Sequence, residues 1–249
     1  MSRTLVFAHR GANREAAENT RTAFDKALAY PIDGIETDVQ LSRDEVAVLW
    51  HDRDLKKLKL PGKHIDDFDH AQLRAMDFAA HFAGSGASEG VMSLQEFIAA
   101  YRARCRLLLE IKIRDWEVTA RGELKVRQTL ELAGAATDDR ILVSSFNSAG
   151  LAYAQRIAPA FPLVLNLEPE HDLNDARRAL DMQPFLHGLC MHISTLDADM
   201  VALLRGRNKS IAVYTCNTDE EISRALVLGV DVLISDVPQK ALQMREQYC

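Results

Sequence analysis

The sequence has few cysteines and none that cooperate. Cys105, Cys190, Cys216 and Cys249 include no Cys-x-x-Cys pair, so they suggest neither a zinc clasp nor a disulfide framework. Scattered thiols of this kind suit a reducing compartment. No apolar run approaches the ~20 residues that span a bilayer. The apolar stretch near the start, Leu5-Val-Phe-Ala8, is too short for a secretory signal. The expectation is a cytoplasmic protein with no stable membrane anchoring. Basic charge is also scarce: 30 Lys and Arg stand against 36 Asp and Glu, a formal charge of −6. That argues against nucleic acid as a partner. What remains is an ordinary soluble composition, 47% apolar and 27% charged over 249 residues. A chain of this size can bury roughly 70–75% of its unfolded surface, so it needs no covalent staple.

Short β-rich runs alternate with helical spacing from end to end. Strands are expected at 4–8, 33–39, 46–50, 107–112, 140–145, 162–167, 187–191, 210–215 and 231–235. Between Thr20 and Ala29 one face carries Ala23, Phe24, Ala27 and Leu28, with Asn19 as its N-cap. Ser93-x-x-Glu96 and Thr218-x-x-Glu221 are capping-box patterns, Gly229 marks a helix stop, and Pro238 suits a first helical turn. Only Gln40 to Glu45 separates the second run from the third, too few residues for a parallel crossover, so this pair is an antiparallel hairpin. The other eight runs are each followed by a helix or a long connection. The economical architecture is an α/β fold, a TIM (β/α)8 barrel with an extra β-hairpin after strand 2, in a single domain over 1–249. A doubly wound sheet is the second choice, weakened because no Gly-rich phosphate loop follows any strand. Residues 53–91 are charged and end in Gly84-Ser-Gly-Ala-Ser-Glu-Gly90, with a faint helical pattern at Phe68, Leu73 and Met76. They read as a rim excursion, either a functional lid or a mobile segment.

Barrel chemistry collects at the C-terminal ends of strands, and those ends are rich in ionisable groups. They read His9-Arg10-Gly11, Glu36-Thr37-Asp38, His51-Asp52 and Glu110-Ile111-Lys112. Strand side chains alternate, so Glu36 and Asp38 share a face, as do Glu110 and Lys112. Charges at period two among leucines and isoleucines need a partner or an ion. One reading is a structural ion pair such as Glu110 with Arg10. The other is a hard divalent cation held by Glu36, Asp38 and Glu110, and all-oxygen ligation favours Mg2+, Ca2+ or Mn2+ over zinc. A hairpin turn near Arg43–Asp44 makes partner numbers sum to about 88, which sets 50–52 opposite 36–38. His51 is then beside the carboxylates, and His9 reaches the same mouth from the neighbouring strand. Two imidazoles, a cation site, Arg10 and Lys112 describe phosphoryl transfer, one His accepting a proton from the nucleophile and the other donating one to the leaving oxygen.

These motifs resemble the glycerophosphodiester phosphodiesterase family. The likeness runs from His9-Arg10-Gly11 and Glu18-Asn19-Thr20 through Gly34-Ile35-Glu36-Thr37-Asp38-Val39, His51-Asp52 and Glu110-Ile111-Lys112. It continues through Ser145-Phe146, Tyr214-Thr215-Cys216-Asn217 and Gly229 to Pro238. The resemblance implies a TIM-barrel hydrolase that splits glycerophosphodiesters into sn-glycerol 3-phosphate and an alcohol. It implies a divalent ion (Mg2+ or Ca2+) on Glu36, Asp38 and Glu110, an acid/base pair in His9 and His51, and phosphate contacts from Arg10 and Lys112. It also implies that the substrate's own 2-hydroxyl attacks first, giving a cyclic phosphate that water opens. The chain departs from the family pattern at Ala17 (usually Pro), Tyr214 (usually Trp), Met92-Ser93 (usually Pro-Thr) and Lys56-Lys57-Leu58 (usually Thr-Thr). These departures are expected to shape the alcohol pocket without reaching a ligand or acid/base residue.

Glu18 and Tyr214 are further substrate-binding candidates, Glu18 alternatively a helix-dipole partner and Tyr214 alternatively a packing residue. Ser145 and Asn217 are candidates for support behind the site, and His192 for a rim contact. His64, His70, His81 and His171 are expected in solvent, and Arg102, Arg104 and Arg106 at the C-terminus of their own helix. Two other functions compete: a lysophospholipase D-type phosphodiesterase, disfavoured by the absence of an exposed apolar stretch in the excursion, and a non-catalytic binding barrel, disfavoured because no site residue is missing.

Overall fold

The structure, a computed structural model, describes residues 3–84, 86–114, 116–134 and 140–248; Cys249 lies outside them. In chain order the first elements are β1 (Leu5–His9), α1 (Arg21–Ala27), β2 (Gly34–Leu41) and β3 (Ala47–Leu49). The rim segment contributes β4 (Asp54–Leu55), β5 (Leu60–His64) and α2 (His70–Ala75), followed by α3 (Leu94–Tyr101). Strand and helix then alternate: β6 (Arg106–Ile111), α4 (Thr119–Ala133), β7 (Ile141–Ser145), α5 (Ser148–Ile157), β8 (Leu163–Leu167) and α6 (Leu173–Met182). The last units are β9 (Gly188–His192), α7 (Ala198–Gly206), β10 (Ser210–Tyr214), α8 (Asp219–Val227), β11 (Val232–Ser235) and α9 (Pro238–Glu246).

Eight parallel strands close a ring in the order β1-β2-β6-β7-β8-β9-β10-β11, sealed by β11 against β1. The fold is the expected TIM barrel. β3 lies outside the ring, antiparallel to β2, with Val39 opposite Leu49, Gln40 opposite Val48 and Leu41 opposite Ala47. Each pair sums to 88, so the hairpin register follows from the turn alone.

The barrel interior is filled in layers by alternate strand residues. Phe7, Leu108, Val164, Cys190, Ala212, Val232 and Ile234 form one apolar cluster inside the ring. Gly34 makes room for Phe7, since a Cβ there would lie 2.5 Å from the ring edge. Two residues further along β1, β2, β6, β8 and β10 the inward positions become His9, Glu36, Glu110, Asn166 and Tyr214. The polar layer therefore sits directly on the apolar floor. The larger core, including Val39, Phe97, Leu107, Leu130, Leu189 and Leu233, lies between the strands and the helices.

Local sequence explains most helix ends. Ser93 and Thr218 close their capping boxes with Glu96 and Glu221, Pro238 opens α9, and Gly229 turns the chain at φ 66°. Three expectations need correction. The cap of α1 is Thr20, not Asn19; Asn19 takes φ 58° and turns its amide toward the site. Arg106 does not lie at the end of α3 but opens β6; Arg102 is the C-cap of α3, and its Nη1 donates to Ala133 O at the end of α4, 2.6 Å away. The rim segment is neither a loose lid nor a bare loop. Trp50, Leu55, Ile65, Leu73, Phe78 and Val91 form a small core of their own, with Trp50 edge-on to Phe78 at 5.0 Å. Its apolar residues are too irregularly spaced to show a period, yet they meet once the short β4–β5 ribbon folds back.

Candidate active site

The turn after β1 is built by backbone geometry. Arg10 and Gly11 both take positive φ, 57° and 84°, and a Cβ on Gly11 would lie 2.6 Å from the Ala23 backbone. Glycine alone fits there. The reversal brings the Arg10 guanidinium over the mouth, with Nε 3.0 Å from Asp38 Oδ2 and Nη1 3.0 Å from Glu18 Oε2. Asn19 Nδ2 donates to the same Asp38 oxygen at 2.9 Å, and Asn19 Oδ1 accepts from Thr37 at 2.7 Å.

Glu36, Asp38 and Glu110 each offer an oxygen, and the three oxygens lie within 4.8 Å of one another. Asp38 is fully buried. Burial alone would raise its pKa, but Arg10 and Lys112 hold it well below the usual carboxylate range. Lys112 Nζ is 2.9 Å from Asp38 Oδ1 and also pairs with Glu110. Glu36 is the opposite case: burial, then the Asp38 charge, pushes its pKa well above normal. Its Oε2 has no hydrogen-bond partner among the described residues. Arg10 and Lys112 are thus spent chiefly on Asp38, and the ion pair of Glu110 with Arg10 does not form: Arg10 goes to Asp38 and Glu18, and Lys112 to Glu110. An all-oxygen donor set with an orphaned buried carboxylate oxygen fits a hard divalent cation.

Both imidazoles are held through Nδ1. His9 Nδ1 donates to Asp236 Oδ1 at 2.6 Å, leaving Nε2 facing Glu36 Oε2 at 3.9 Å. Burial, then the Arg10 charge, lowers the His9 pKa and favours the neutral ring. Asp236 is further gripped by Asn13 (2.7 Å), Asn217 (2.9 Å) and Arg14 (3.0 Å). Although burial opposes ionisation, the His9 contact keeps this carboxyl well below its ordinary pKa. His51 Nδ1 donates to Asp52 Oδ1 at 2.8 Å; that bond and Lys57 hold Asp52 down likewise. The buried Gln40 amide nitrogen lies within 3.1 Å of the carbonyls of Trp50, His51 and Asp52. It clamps the segment that carries the second histidine.

Two adjoining cavities share His51, Glu110, Lys112, Phe146 and Tyr214. The inner one, about 160 Å³, also meets His9, Arg10, Glu36, Ser144 and Asn166. The outer one, about 540 Å³, is bordered by Arg114, Glu168 and His171 among others. Of the residues singled out from the sequence for ion, acid/base or phosphate contact, His9, His51, Arg10, Lys112, Glu36 and Glu110 line these cavities; Asp38 lines neither and lies buried behind them, paired with Arg10 and Lys112. Tyr214 lines both cavities, its hydroxyl donating to Leu167 O at 2.7 Å, with His192 edge-on at 5.6 Å. Ser145 bonds Ile111 O and stays structural.

Asp236, Gln40, Lys57 and Asn19 carry geometry that the sequence reading gave to other roles or to none. Asp236 stands in the last motif, two residues before Pro238, but nothing local links it to a histidine 227 positions earlier. Lys57, one of the departures from the family pattern, pairs with neither a proposed ligand nor an acid/base residue but with their neighbours, Nζ lying 2.8 Å from both Asp52 Oδ2 and Glu18 Oε1. Glu18 is accordingly an ion-pair partner, held below its normal pKa by Arg10 and Lys57 in spite of burial. His64, His70, His81 and His171, expected in solvent, are instead all partly covered. His171 borders the outer cavity and accepts from Glu168 N at 2.9 Å, and His81 packs edge-on to Trp50 at 5.8 Å.

A profile of the glycerophosphoryl diester phosphodiesterase family matches residues 9–240. A glycerophosphodiester phosphodiesterase of Bacillus altitudinis is 28% identical over 249 residues, covering 98% of this chain and 99% of its own. One from Caldanaerobacter subterraneus is 27% identical over 248 residues, covering 97% and 98%. Among solved structures, an Oleispira antarctica phosphodiesterase in complex with the product sn-glycerol-3-phosphate superposes with a TM-score of 0.84 at 25% identity, over 98% of this chain and 97% of that one.

Proposed function

The chain belongs to the glycerophosphoryl diester phosphodiesterase family and is a glycerophosphodiester phosphodiesterase, and on that premise we propose that it releases sn-glycerol 3-phosphate by a cation-assisted acid/base mechanism. Glu36, Asp38 and Glu110 would hold the divalent ion. When bound, it supplies positive charge to the phosphoryl oxygens as phosphorus becomes five-coordinate. The observation that carries this reading is the gathering of three carboxylate oxygens within 4.8 Å of one another, with Glu36 and Glu110 lining the same inner cavity as the two Nδ1-anchored imidazoles.

His9 is the base toward the glycerol 2-hydroxyl, because burial keeps its ring neutral and Asp236 directs Nε2 inward. His51 borders both cavities and is the acid toward the departing alcohol. The first step forms the bond from the 2-hydroxyl oxygen to phosphorus and breaks the bond to the alcohol oxygen, which takes a proton from His51. In the second step the roles reverse: His51 accepts a proton from water as its oxygen bonds to phosphorus, the bond from phosphorus to the 2-oxygen breaks, and His9 returns a proton to that oxygen to restore the 2-hydroxyl. Arg10 and Lys112 hold the non-bridging oxygens. No helix of the described residues is long and apolar enough to cross a membrane, which agrees with a small diester as substrate.

The test is a coupled assay for glycerol 3-phosphate released from glycerophosphocholine. Exhaustive chelation is expected to lower turnover by at least 10²-fold, with recovery on adding Mg2+ or Ca2+. His9→Ala and His51→Ala are each expected to cost about 10²–10⁴-fold in kcat while melting like the wild type. Full activity after chelation, or in either variant, would overturn the corresponding role.

A further inference from the structure

Asn166 is out of place in its strand. β8 reads Leu163-Val-Leu-Asn-Leu167 and is buried throughout, so apolar residues would satisfy every position. Asn166 is nonetheless 5% exposed, lines the inner cavity, and its Oδ1 has no hydrogen-bond partner among the described residues. A buried amide left unpaired costs about 1–3 kcal/mol, which a substrate hydroxyl can offset on binding.

We propose that Asn166, flanked by the buried Ser144, binds the terminal hydroxyl of the substrate's glycerol unit, so that the diester enters the barrel glycerol first. The inference rests on the phosphodiesterase reading above and adds the direction of entry and the residue that reads the polyol. The inner cavity is floored by Leu108, Cys190 and Ile234, part of the apolar layer that fills the ring, so its depth is fixed. At about 160 Å³ it is less than a third the size of the outer cavity, about 540 Å³, so the smaller three-carbon polyol suits the inner cavity and a head group the outer one. The half of the substrate that all glycerophosphodiesters share belongs in the cavity of fixed depth, and the variable alcohol in the larger outer one. With the 2-hydroxyl at His9 beside phosphorus, the terminal hydroxyl is the group that reaches deeper. A carboxamide offers it both a donor and an acceptor.

The experiment compares kcat/KM for two esters with the same phosphate and leaving group, glyceryl 4-nitrophenyl phosphate and 2-hydroxypropyl 4-nitrophenyl phosphate. The second keeps the attacking hydroxyl and lacks only the terminal one. The wild type is expected to prefer the glyceryl ester by about 10–100-fold, the worth of one buried hydrogen bond. In Asn166→Leu that ratio falls toward one, because the glyceryl ester loses its advantage. Calorimetric binding of sn-glycerol 3-phosphate against 2-hydroxypropyl phosphate gives the same comparison without turnover, and Asn166→Ser provides it should the leucine variant fail to fold. A wild type that does not distinguish the esters, or a variant that keeps the wild-type ratio, overturns the proposal. Wild-type enzyme that hydrolyses neither ester removes the underlying reading instead.

Discussion

A histidine ring with one nitrogen anchored has its other nitrogen aimed, and Asp236 and Asp52 each perform that service for one ring. Asp236 is the more committed, with four donors converging on its two oxygens. An amide in its place would set an NH2 group against donors and leave His9 free to rotate or to adopt the other tautomer. Asp236→Asn is therefore expected to reduce kcat by about 10²-fold or more, with KM for glycerophosphocholine within threefold of wild type. Steady-state kinetics beside a melting curve checks it: a loss confined to stability, with kcat retained, would make the aspartate merely structural. Residue scale is also where the sequence reading was least complete. Asn19 reads as a helix cap because Asn before a helical run usually is one, and only the φ of 58° turns its amide to Asp38.

Among the elements, the strands carry the design. Alternation along β1, β2, β6 and β8 converts an apolar floor into a polar layer within two residues, so the same strand that packs the ring also presents the chemistry. The strand runs, the hairpin and its register were all legible, because alternation and turn closure are local properties. The small core of the rim segment was not, because its members are brought together by β4 and β5 rather than by a period. Close packing of the floor makes it intolerant of added volume. Gly34→Ala would drive a methyl into the Phe7 ring and is expected to destabilise by about 1–3 kcal/mol or more. Urea unfolding should show it, and the double variant with Phe7→Leu should recover part of the loss. Additive losses would mean that the two positions do not share the space.

Over the whole molecule the two ends of the barrel spend charge differently. At the C-terminal end the charges surround a cavity. At the other end Arg245 of α9, 2% exposed, donates to Thr4 O at 3.0 Å and pairs with Asp33, whose Oδ2 also accepts from Val6 N at 2.8 Å. This pair ties the last helix to the first strand and to the turn before β2, far from the cavity. Removing the cation leaves Asp33 partly buried without its charge partner. Arg245→Met is expected to lower stability by about 2–3 kcal/mol, below the range for fully enclosed pairs because the Asp33 carboxylate keeps some water. Its kcat should match the wild type below the melting transition, and a large fall in kcat at 25 °C would show that the two ends are coupled.

The sequence by itself determined the kind and order of elements, the hairpin register, the parity that puts Glu36 with Asp38 and Glu110 with Lys112, and the family likeness. Those properties belong to neighbours along one strand or turn, where geometry repeats every two residues or every helical turn. Tertiary structure alone decided that Asp236 holds His9, that Lys57 crosses from the rim to Asp52 and Glu18, and that Arg10 and Lys112 converge on Asp38 while Glu36 keeps an oxygen unpartnered among the described residues. Such pairings depend on closing the ring, which sets β11 beside β1 and brings together residues whose separation along the chain says nothing about their distance in space.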